Sequence, residues 1–125
     1  VQVLSDVEPG DEICVFHGSD QLLPKRQRQR ELANWGIDCR CPACEGPHSD
    51  NRRNRIRNID DEMSRVKLTE CKCAYALAKE RHGLCEKEGV YWNGYRQGLN
   101  DCVQFSALAK APQKETREWA AQALE

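Results

Sequence analysis

Apolar residues near the start of the chain form short runs, and those beyond residue 48 recur at helical spacing. Val1–Leu4 and Ile13-Cys14-Val15-Phe16 flank a polar turn from Ser5 to Asp11 that contains Pro9-Gly10. Brief apolar runs bounded by turn residues predict two strands, the second buried on both faces. A pair this short is not stable alone and needs a larger sheet. Pro24 then opens a helix that runs to about Asn34 and is stopped by Gly36. Ile37–Pro47 is a cysteine-rich loop punctuated by Pro42 and Pro47. Ser49 or Asp50 caps the next helix, whose stripe is Ile56, Ile59, Met63 and Val66. Further helices are predicted over about Glu70–Glu88, Tyr91–Lys110 and Lys114–Leu124, with breaks at Gly89 and Pro112. The first turns Ala74, Leu77, Ala78 and Leu84 inward, the second has Tyr91, Tyr95, Leu99, Cys102 and Phe105 on one side, and Trp119, Ala120, Ala123 and Leu124 are apolar in the last.

The fold expected from this pattern is α+β: a short β-hairpin, a metal-binding loop, then a mostly helical tail. The divisions fall at residues 1–36, 37–48 and 49–125. Helices joined by short turns read as helical hairpins. No 34-residue repeat of the tetratricopeptide kind is visible, so that likeness rests on the hairpins alone. Val1 at the start and a single methionine, Met63, add to the unpaired strands in suggesting part of a longer protein.

Composition narrows the class. Charged residues make up 31% and aromatics 6%, so the core is thin and aliphatic. No apolar run is long enough to span a bilayer. The opening segment is acidic and broken by Pro9-Gly10, unlike a secretory signal. Residues 1–24 carry five acidic groups and no Lys or Arg, whereas residues 25–67 carry eleven basic and seven acidic groups. Basic runs at Lys25–Arg30 and Arg52–Arg57 lack interleaved aromatics, so they read as solvated helix faces rather than a nucleic-acid surface.

Eight cysteines suggest either a disulfide scaffold or thiols in a reducing compartment. Three of them fall within Cys39-Arg40-Cys41-Pro42-Ala43-Cys44. Such spacing brings thiolates together only if the chain wraps a metal, and zinc prefers four soft or borderline ligands in a tetrahedron. The expectation is therefore an intracellular protein, of nucleus or cytoplasm, with Cys39, Cys41 and Cys44 on zinc. His48, four residues after Cys44, offers a local fourth ligand; otherwise the ligand comes from elsewhere. Cys14, Cys71, Cys73, Cys85 and Cys102 read as packing residues.

Val7-Glu8-Pro9-Gly10-Asp11-Glu12-Ile13 resembles the turn and strand near the end of SET domains. Arg26 to Trp35, followed by Gly36-Ile37-Asp38-Cys39-Arg40-Cys41-Pro42-Ala43-Cys44, resembles the helix and post-SET zinc loop that follow. The order is similar to SET-and-MYND protein-lysine methyltransferases and their fungal relatives, over residues 1–45. The resemblance implies methyl transfer from S-adenosylmethionine to lysine, with a protein substrate such as a histone. It implies that the three post-SET cysteines share zinc with a cysteine in an Asn-His-x-Cys motif of the SET core. Neither that motif nor a cofactor-holding Gly-x-Gly occurs here, so the amino-terminal SET portion is expected upstream. His17 stands where the family has a catalytic tyrosine. Trp35 matches an aromatic walling the substrate-lysine channel, and Ile37 a position beside the cofactor's adenine. The chain alone is expected to be inactive. The competing expectation is a non-catalytic, zinc-stapled helical module that binds a partner peptide.

Overall fold

The computed structural model describes residues 8–10, 20–67, 69–90 and 93–124. Six helices account for most of them: α1 (Lys25–Ala33), α2 (Pro42–Glu45), α3 (Ser49–Met63), α4 (Cys71–Lys87), α5 (Asn93–Leu108) and α6 (Gln113–Leu124). No strand occurs among the described residues, which corrects the α+β expectation to a helical architecture. Both expected strands, at Val1–Leu4 and Ile13–Phe16, lie outside the described residues. A four-residue apolar run has too few positions to distinguish periods of 2 and 3.6.

Packing follows chain order. α4 meets α5 most extensively, α5 meets α6, α3 meets α4, and α2 touches α3. The core is small and aliphatic, as the composition demands: Ile56 and Ile59 from α3, Leu77 and Ala78 from α4, Leu99 from α5. Cys85 and Cys102 are fully buried between these helices. Burial pushes both thiols up, Cys102 to about 12, so they are inert packing groups at neutral pH. Cys73 is exposed and corrects the expectation that it packs inside. Val66 lies beyond the end of α3, so the predicted stripe stops at Met63.

Backbone chemistry sets the helix ends. Gly36 (φ +69°) and Gly89 (φ +65°) sit in the left-handed region that glycine adopts without a Cβ clash. The N–H of Ile37 donates back to the Leu32 carbonyl at 3.1 Å, and Val90 to Cys85 at 3.0 Å, closing both helices in the same way. α5 ends alike, with Ala111 donating to Ser106 at 2.9 Å, but its left-handed residue is Lys110 (φ 54°). A lysine there carries strain that glycine lacks. Lys110→Gly is therefore expected to raise stability by about 1 kcal/mol. An unchanged denaturation midpoint would show that no strain resides there.

α6 buries no residue fully and is held through side chains. The Trp119 indole N–H donates to the Tyr75 hydroxyl at 2.8 Å, and Lys79 pairs with Glu115 at 3.2 Å. Trp119 also stands edge-on to the buried His82, and the Tyr95 ring lies 4.6 Å from that imidazole. Burial holds the His82 pKa below its usual value, against the opposing charge of Glu86 3.7 Å away. Among the described residues, no helix is long and apolar enough to cross a membrane.

Candidate metal centre

The turn after α1 delivers the chain to the cysteine cluster. Once Gly36 has reversed the backbone, Ile37 through Arg40 run without helix and Cys41 begins a single helical turn, α2. Pro42 occupies the first position of that turn, where its missing N–H costs nothing. The Cys44 N–H donates to the Cys41 carbonyl at 2.8 Å, and Gly46 to the Pro42 carbonyl at 2.7 Å. A Cβ on Gly46 would sit 2.7 Å from that carbonyl oxygen, so the exit from the turn requires glycine.

This wrap brings the sulfurs of Cys39, Cys41 and Cys44 within 4.8 Å of one another. A tetrahedral ion with sulfur ligands at about 2.3 Å separates them by roughly 3.8 Å, so a small contraction suffices. Three thiols at this separation can hold one metal ion. Cys44 is buried, Cys39 partly so, and Cys41 is exposed. The electrostatics favour ionisation of one thiol first. Burial opposes a charged Cys41, but hydrogen bonds from the Cys39 thiol and from the N–H groups of Cys44 and Ala43 outweigh it and lower its pKa. For Cys39 the Cys41 N–H favours the thiolate, yet burial and the neighbouring thiols leave its pKa raised.

Other sequence-derived candidates fall as follows. His48 is exposed just before α3 and is not a member of the sulfur cluster. His17 and Cys14 lie outside the described residues. Trp35 is 68% exposed and Ile37 37%, so the turn leading into the cluster presents apolar surface. No disulfide joins the seven described cysteines.

Two arginines that sequence reasoning assigned to solvated faces are buried, Arg28 against the cluster and Arg53 on the helix that α2 touches. Arg28, on α1, donates to the Leu23 and Ala43 carbonyls, the latter at 2.9 Å, and to Cys44 Sγ at 3.5 Å. It thereby ties α1 to the cysteine loop. Arg53, on α3, donates through Nε to Glu88 Oε2 at 2.8 Å and to Ser49 Oγ at 3.0 Å. Ser49 in turn donates to Glu88, and Arg52 pairs with the other carboxylate oxygen. Glu88 comes just after α4, so this network fastens the head of α3 to the end of α4. Spacing held a usable signal: Arg28 lies four residues before buried Leu32, and Arg53 four after buried Ser49 and three before Ile56. Each thus shares the inward face of its helix.

No known protein family, characterised protein or solved structure matches this chain.

Proposed function

We propose that this chain is the zinc-stapled carboxy-terminal part of a protein-lysine N-methyltransferase of the SET type. The carrying observation is the convergence of Cys39, Cys41 and Cys44 directly after a helix and turn that expose Trp35 and Ile37. A channel for a lysine side chain needs a rigid apolar wall, and a metal-tied loop beside exposed apolar groups supplies one. Zinc fits the donor set because thiolates at this separation suit a soft or borderline tetrahedral ion. It would hold the three sulfurs together and fix the loop against α1. S-adenosylmethionine would supply the methyl group, bound largely by residues upstream. Within this chain, Trp35 would line the passage for the lysine stem and Ile37 would pack near the cofactor. The amine must reach the methyl group neutral and desolvated, and apolar walls favour that state.

The test is methyl transfer by the full-length gene product. Transfer to protein lysine is expected and should be lost in Cys41→Ser, while these 125 residues alone should transfer nothing. Transfer by the isolated chain, or a zinc-loaded full-length product without activity, would overturn the proposal.

A second reading is a zinc-stapled helical module that binds a partner peptide. The absence of any strand among the described residues favours it. The upstream coding sequence separates the two readings: a Gly-x-Gly followed by Asn-His-x-Cys belongs to the methyltransferase, and an unrelated domain to the binder.

A further inference from the structure

Two guanidiniums near the triad are buried, and among the described residues a carboxylate reaches only one of them. Arg28 is 5% exposed and Arg53 4% exposed. Arg28 makes its described hydrogen bonds to two carbonyls and a sulfur, none of them a carboxylate. Glu88 is the carboxylate that reaches Arg53, and it is shared with Arg52. Arg53 Nη1 is buried with no acceptor among the described residues. Arg28 lies near enough to Arg53 for its charge to oppose that of Arg53. Burying such an excess is costly unless an anion lies nearby.

A metal held by three thiolates is that anion. With a divalent ion the centre carries one net negative charge, and with a monovalent ion two. We propose that Arg28 and Arg53 are the built-in counter-ions of an anionic metal–thiolate centre, and that they bias its metal preference by charge. This rests on the reading of the triad as a metal site. Arg28 acts by direct donation to the Cys44 sulfur, and Arg53 by its charge from the α3 side. Neither is a ligand; both are positioning residues.

The test compares zinc, cadmium and copper(I) affinities of the unaltered chain, Arg28→Met, Arg28→Lys and Arg53→Met, by anaerobic competition with chromophoric chelators. Arg28→Met should weaken zinc and cadmium by about tenfold or more, the scale of a hydrogen bond to a charged group. Copper(I) should weaken by a larger factor, because its complex carries twice the net charge. Arg28→Lys, which keeps the charge, should recover part of the loss. Arg53→Met should show the same ordering of metals with a smaller zinc effect. Far-ultraviolet circular dichroism establishes that each variant is helical; should Arg28→Met fail to fold, Arg53→Met carries the comparison. Equal losses for zinc and copper(I), or no loss, would overturn the charge-compensation proposal while leaving the metal site standing. Failure of the unaltered chain to take up any of the three ions would refute the metal reading itself.

Discussion

Glu88→Ala should destabilise the fold by about 3–5 kcal/mol, the usual consequence of leaving a buried charge without its partner. The Glu88 side chain is 1% exposed and accepts from Ser49, Arg52 and Arg53. Removing it leaves the buried Arg53 without its carboxylate. Arg52→Met provides the contrast. Its side chain is 32% exposed, so its share of the network is expected to be worth no more than about 1 kcal/mol. Denaturant midpoints measure both, and a Glu88→Ala loss no larger than that of Arg52→Met would remove the network from any central role. The network also has a pH signature. Burial opposes ionisation of Glu88, but hydrogen bonds from Ser49 and Arg52 and the charge of Arg53 outweigh it and depress its pKa. A carboxylate depressed in the folded state contributes stability that is present above its ordinary pKa, near 4.5, and is lost as pH falls through the folded value. Acid unfolding below that point should therefore be less steep in Glu88→Ala.

Loss of the metal should act more locally but more completely. Cys44→Ser, or chelation of the unaltered protein, is expected to abolish stoichiometric zinc and melt residues 37–48, while α4, α5 and α6 remain helical. Binding by zinc peptides is worth on the order of 10–16 kcal/mol, far more than a four-residue turn such as α2 gains from its own hydrogen bonds. The later helices have a core of their own, built around Leu77, Ala78, Leu99 and Cys102. Zinc analysis together with hydrogen exchange resolved along the chain reads both halves of the prediction. Unchanged protection of the loop in the zinc-free protein would mean that the metal does not organise it.

The parts of the structure visible in the sequence are those fixed by near neighbours. The triad could be read because one- and two-residue spacings leave the sulfurs little freedom to diverge. Gly36 and Gly89 could be read as helix ends because a left-handed residue without a Cβ has few other uses. Lys110 could not, since its type argues against the conformation it adopts. Arg28 and Arg53 looked like members of solvated basic runs because their partners are remote: the Ala43 carbonyl lies 15 residues from Arg28, and Glu88 35 residues from Arg53. Ser49, expected as a cap, is the first residue of α3 and serves Glu88 instead; His48 takes the cap position without a side-chain bond. The α+β class rested on two brief runs outside the described residues, and nothing in their pattern set strand apart from helix.

Because the helices pack mainly against their neighbours along the chain, the molecule can assemble in the order of its synthesis. α1, the thiol loop and α3 leave the ribosome before Glu88 does. During that interval the nascent chain has two adjacent guanidiniums and no Glu88 to receive Arg53. An ion captured early by the sulfurs would quiet that repulsion and hold the first half ready until α4 arrives to lock it.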